Sequence, residues 1–146
     1  MLFIVASALL SVSFCLPLAA VADDSCETVS MIEDGSYPNP ASLGHETLGD
    51  IYISCAMSVN QKTLRSYNTR MSAAREYLSV ADQYERTPLL SFINYVKAYD
   101  LFTYAMLQAE HYGIGDENFA KEQSRKAALG IQRTAPNAIP KLSSTP

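Results

Sequence analysis

The residues with the most chemical promise are His45-Glu46, followed by Gly49 and Asp50. A His-Glu pair opens the zinc-protease motif, in which a second His four residues after the first shares its helix face and completes the metal site. Position 49 is Gly, so that ligand is missing where the motif needs it. His111 follows Glu110 near the end of a helical stretch. There an imidazole meets the negative end of the helix dipole, which accounts for it better than an acid–base pair does. The acidic pairs Asp23-Asp24 and Glu33-Asp34 fall at expected helix ends, where capping and solubility explain them. No Ser nucleophile elbow, Cys–His pair or phosphate-cradling Gly loop occurs. The residues offer no catalytic centre, no metal site and no cofactor motif.

Cysteine chemistry depends on compartment, and the start of the chain speaks to that. Leu2 to Val12 is apolar apart from Ser7 and Ser11, Pro17 breaks the run, and Ala20-Val21-Ala22 has the small residues of a signal-peptidase site. The apolar core is shorter than the about 20 residues a bilayer span takes. Residues 1–22 are therefore expected to be a cleaved signal peptide, although no Lys or Arg precedes the apolar run. Phe14 is too bulky to precede a lipidated Cys15. Cleavage removes Cys15 and leaves Cys26 and Cys55, which in a periplasmic or secreted chain are expected to form one disulfide. Closing a loop of about 30 residues stabilises the fold by about 3 to 4 kcal/mol on the chain-entropy account.

The formal charge of −4 lies wholly beyond residue 22. This acidity speaks against nucleic acid, which selects a basic face, and against an anionic membrane surface. No Asn-x-Ser/Thr sequon occurs.

Helical periods position all of these residues, and no strand-like alternation competes. Residues 23–134 are expected to form one all-α domain of about five helices in antiparallel hairpins, with a flexible tail at 135–146. The first helix is expected over 25–34, capped by Asp24 with Glu27 and ended by Gly35. The second follows Asn39 and Pro40 and runs to about Ala56, with Leu48, Ile51, Tyr52 and Cys55 as its apolar stripe. In the third, Leu64, Tyr67, Met71, Ala74, Leu78 and Ala81 recur at steps of three and four. The fourth starts at Thr87-Pro88 and presents Phe92, Tyr95, Tyr99, Phe102, Met106 and Ala109. Leu89, Ile93, Val96 and Leu101 make it apolar nearly all round, which places it at the centre of the domain. Asp116 caps the fifth, which carries Phe119, Ala120, Ala127 and Ile131.

Leu48-Gly49-Asp50-Ile51-Tyr52 resembles the Leu-Gly-x-x-Tyr signature of a tetratricopeptide first helix. Tyr95-Val96-Lys97-Ala98-Tyr99-Asp100-Leu101-Phe102, continuing to Ala105, is similar to the opening helix of a Sel1-like repeat. The spacer after Cys55 is longer than in that group, and Ala73, Tyr77 and Ala81 meet its second-helix pattern only loosely. The resemblance implies stacked helical hairpins and a non-catalytic adaptor or scaffold that holds a protein or peptide in a concave groove. A plain helical bundle is the competing fold.

Nine tyrosines and no tryptophan mark the composition. Tyrosine is common at recognition surfaces, yet most of these stand at core spacing. Tyr77, Tyr84, Tyr104 and Tyr112 fall outside the main stripes and are the candidate binding surface. The alternative function is an exported inhibitor or immunity protein that blocks a partner enzyme, with the turn around Tyr37 as its projecting loop. A chaperone that opens in acid is a third reading, against which stand only two histidines.

Overall fold

The computed structural model describes residues 18–138, with side-chain surroundings from residue 24 onward. The signal-peptide assignment, apart from the backbone of 18–22, and residues 139–146 of the tail lie outside the described residues. The described chain is all-helical: α1 (Leu18–Glu33), α2 (His45–Ser58), α3 (Leu64–Gln83), α4 (Pro88–Tyr112) and α5 (Glu117–Ala138).

Local chemistry sets most of the helix ends. Thr63 is extended and its side chain accepts from the Ser66 N–H, which starts α3. Pro88 stands in the first turn of α4, and Gly113 ends that helix at φ 64°, its N–H reaching the Ala109 carbonyl. Asp116 Oδ1 accepts from the Phe119 N–H at 2.9 Å, capping α5 as expected.

Three boundaries differ from the sequence expectation. Helix α1 begins before Ser25, so Asp24 lies inside it and accepts Thr28 Oγ1 on its backbone carbonyl instead of capping the helix. The expected second helix is split: Pro40–Leu43 forms a single 3-10 turn, and Gly44 at φ 74° redirects the chain into α2. Helix α5 runs through Gly130 and Pro136 to Ala138, so the described helix continues past the boundary expected at residue 134. Pro136 has no N–H to offer the Gln132 carbonyl, so α5 gives up one ladder hydrogen bond close to its end.

Each helix packs antiparallel on the next in sequence. Cys26 of α1 is bonded to Cys55 of α2, with Sγ–Sγ 1.97 Å and Cα–Cα 4.7 Å. Val29, Leu48, Tyr52, Cys55 and Ala73 close the core of α1, α2 and α3. A second cluster of α3, α4 and α5 holds Tyr67, Met71, Ala74, Tyr77, Ala98, Phe102, Ala105, Ala109, Ala120 and Ala127. Leu101 packs against both. Helices two apart are linked by long side chains: Arg65 to Ser30 at 2.9 Å, Lys97 to Glu46 at 3.7 Å, and the Arg75 guanidinium 5.5 Å from the Phe119 ring centre.

Helix α4 lies between α3 and α5 but is not enclosed. Leu89, Leu90, Ile93, Tyr99, Tyr104, Leu107 and Tyr112 are exposed, while Ser91, Asn94 and Gln108 are buried. Ser91 and Gln108 are inside because they complete hydrogen bonds to neighbouring elements, as Ser91 Oγ does in donating to the Ala81 carbonyl at 2.8 Å, whereas Asn94 Nδ2 donates back to the Leu90 carbonyl of its own helix.

Candidate functional site: a tyrosine-lined groove over a buried arginine

Packing scatters the four candidate tyrosines. Tyr77 is a correction: it is 4% exposed and belongs to the core. A Cβ on Gly49 would lie 3.0 Å from its ring, its hydroxyl donates to Asp50 Oδ1, and the Lys97 ammonium sits 4.6 Å from its ring centre. Burial and the hydrogen bond to Asp50 hold its phenol well above the usual range. Tyr84, 45% exposed, is the C-terminal cap of α3 and stands apart from the others.

Tyr104 and Tyr112 do come together. With Leu107, Gln108 and His111 they line a groove of about 200 Å³ on the last turns of α4. Tyr104 is 45%, Leu107 50% and Tyr112 39% exposed, so the groove presents apolar surface to solvent. The His111 and Tyr112 rings meet edge to face at 4.7 Å, and the Lys62 ammonium lies 5.8 Å from the Tyr112 ring centre.

Behind the groove is a residue that the sequence reading placed outside the buried stripe. Arg70 is 6% exposed. Its guanidinium stacks on Tyr104, 4.0 Å from the ring centre. Nε donates to Gln108 Oε1 at 3.2 Å, and Nη2 donates to Gln61 Oε1. Both amides are fixed in turn. Gln61 Nε2 donates to the carbonyls of Ala56 and Val59 at 2.8 and 2.9 Å. Gln108 Nε2 donates to the Gln61 carbonyl at 2.6 Å and to Ser66 Oγ at 3.2 Å. The network ties the α2–α3 connection to the end of α4. Among the described residues no carboxylate pairs with Arg70. Burial accordingly pulls its pKa below the ordinary arginine value, with the neighbouring Tyr104 acting weakly the other way. Periodicity held a signal for this residue: Arg70 is three positions after Tyr67 and four before Ala74, on the same face.

Other features have simpler structural roles. His45 Nδ1 lies 2.6 Å from Glu76 Oε2, pinning the start of α2 to α3. Among the described residues no three of His, Cys, Asp and Glu are grouped to share a metal ion. The turn at Tyr37 is held back on α1, its N–H donating to the Met31 carbonyl at 2.9 Å. A wider hollow of about 550 Å³ separates α1 from α3, where Arg65 is already bonded to Ser30. No family model, characterised protein or solved structure matches the chain.

Proposed function

We propose that this chain is an exported, non-catalytic interaction module, a periplasmic or secreted adaptor that binds a protein or peptide through the groove of Tyr104, Leu107 and Tyr112. One observation carries the reading: three large, solvent-exposed apolar side chains gather on one helix, backed by a hydrogen-bonded network that holds them in place. Tyrosine and arginine in a preorganised setting are the residue types that concentrate binding energy at interfaces. The contact of Gly49 with Tyr77 supports the tetratricopeptide-like reading, since the absent Cβ admits the ring of the next helix. In that arrangement successive hairpins stack and offer an extended surface to a partner.

Site-specific photocross-linking tests the assignment. A benzophenone amino acid at Leu107 should yield one discrete protein adduct in the native host, and the same probe at Leu129, an exposed position on α5, should not. Equal labelling from both positions, or no adduct from Leu107, would count against it.

A further inference from the structure

Helix α4 packs on α3 and α5 and leaves one long side open to solvent. Along it Leu90, Ile93, Lys97, Asp100, Tyr104 and Leu107 follow one another at alternating steps of three and four. That spacing keeps side chains in one row, and it is the spacing by which two helices pair. All six are exposed or half-exposed, Ile93 at 40% and Leu90 at 43% among them. The row reads alike from either end: two large apolar residues, a charge, the opposite charge, two large apolar residues. An antiparallel copy of the helix, turned about a point between Ala98 and Tyr99, sets Lys97 against Asp100, Ile93 against Tyr104 and Leu90 against Leu107. Each of these pairs then occurs twice. Asp100 enters no ion pair among the described residues. Lys97 reaches Glu46 at 3.7 Å and lies over the Tyr77 ring, yet its ammonium has three donors and its side chain is 40% exposed.

We infer that this row is the seam of a two-fold dimer, in which α4 of a second copy of the chain lies antiparallel on α4 of the first. A two-fold contact needs a surface complementary to itself, and an arbitrary exposed apolar face is not. Here opposite charges at the centre and apolar pairs on either side are met in one register. Parallel pairing would set Lys97 against Lys97 and Asp100 against Asp100, so charge selects the antiparallel arrangement. The seam is one 25-residue helix, about 37 Å long at ~1.5 Å per residue, which places the dimer among weak, concentration-dependent contacts. The inference goes beyond the proposed binding role and shares Tyr104 and Leu107 with it. The second copy covers those residues in the free protein, and a partner has to displace it.

The test is sedimentation of the purified, oxidised protein at rising concentration, with no partner present. The average mass should move from one chain toward two. Asp100→Lys sets like charges together at both symmetric contacts and should weaken pairing about tenfold or more, and so should Lys97→Glu. Mixing the two variants restores opposite charges at both contacts, so they should form a heterodimer close to the parent in strength. Leu129→Ser, which removes an exposed apolar side chain from α5, should leave the dimer unchanged. Should Lys97→Glu unfold through loss of its contacts with Glu46 and Tyr77, register decides: a benzophenone amino acid at Ile93 should capture the stretch around Tyr104 of the second copy. Capture around Ile93 of the second copy, or a mixture that pairs no better than either variant alone, overturns the antiparallel seam. A single-chain mass at every concentration overturns the dimer. The binding role is judged separately, since a Leu107 adduct with a different protein in the host supports it whether or not the chain pairs with itself.

Discussion

The ring of Tyr95 occupies the space in which a side chain on residue 130 would begin: a Cβ on Gly130 would lie 2.4 Å from the ring carbons. Two further pairs repeat the pattern. A Cβ on Gly115 would come within 2.5 Å of Tyr67, and one on Gly49 within 3.0 Å of Tyr77. Each ring that lies over a glycine also anchors its hydroxyl on an aspartate: Tyr95 on the Asp82 carboxylate at 2.5 Å, Tyr67 on the Asp116 carbonyl at 2.8 Å, and Tyr77 on the Asp50 carboxylate. These tyrosines are struts between elements. They join α4 to α5, α3 to the α4–α5 connection, and α3 to α2.

Replacing Gly130 by Ala should therefore destabilise the fold. Overpacking of this kind costs about 1 to 3 kcal/mol. Ala is the better helix former by about 1 kcal/mol, so an exposed glycine would respond in the opposite sense. Urea unfolding of Gly130→Ala measures the sign; a midpoint at or above that of the parent would mean that Tyr95 yields easily.

The strut tyrosines also set the alkaline limit of stability. Burial, and then the hydrogen bond to Asp82, push the Tyr95 phenol up to about 12, and burial raises Tyr52, Tyr67 and Tyr77 as well. A folded-state pKa above the unfolded value near 10 favours folding while the phenol stays protonated. That contribution is whole below pH about 10 and is lost as pH rises toward about 12. Phenolate absorbance from the struts should therefore rise together with unfolding. Tyr95→Phe should make the alkaline loss of stability shallower, as urea midpoints across this range would show.

The disulfide acts on the first hairpin. Loss of the Cys26–Cys55 bond should lower stability by about 3 to 4 kcal/mol, chiefly by freeing the unfolded chain. Cys55 is fully buried, so a Cys26→Ala, Cys55→Ala double variant adds a small cavity to that loss. Denaturation with and without reductant checks the size. Hydrogen exchange should speed up first in α1, whose other links include Val29 and Ile32 against the core and the Arg65 bonds to Ser30 and the Cys26 carbonyl.

Much of this architecture was legible from helical period and capping residues. Met71, Ala74 and Ala81 lie where the stripe of α3 put them, and Gly113 and Asp116 stop and start helices as their types dictate. The misses share a cause. A stripe drawn through apolar residues passes over Arg70 and Tyr77, which stand on the same face but carry polar groups. Their burial depends on acceptors brought from other elements, Gln61 and Gln108 for one and Asp50 for the other. Such partners are far apart in sequence, so local spacing does not reveal them. The same holds for the candidate surface. Tyr104 and Tyr112 are eight positions apart on one helix and share a groove, whereas Tyr84 lies about 21 Å along α3 from Arg70 at ~1.5 Å per residue.

On the proposed function, Tyr104 and Tyr112 form the surface through which this chain holds a partner. It is tested most directly by quantitative pull-down from the envelope and culture fractions of the native host. Three forms would be compared: the parent chain, the Tyr104→Ala, Tyr112→Ala double variant, and Tyr84→Ala, which removes an equally exposed tyrosine at the far end of α3. The expected result is one macromolecular partner recovered equally by the parent and Tyr84→Ala, and reduced more than about tenfold in the double variant. Full recovery by the folded double variant, or no partner from any fraction, would contradict the claim.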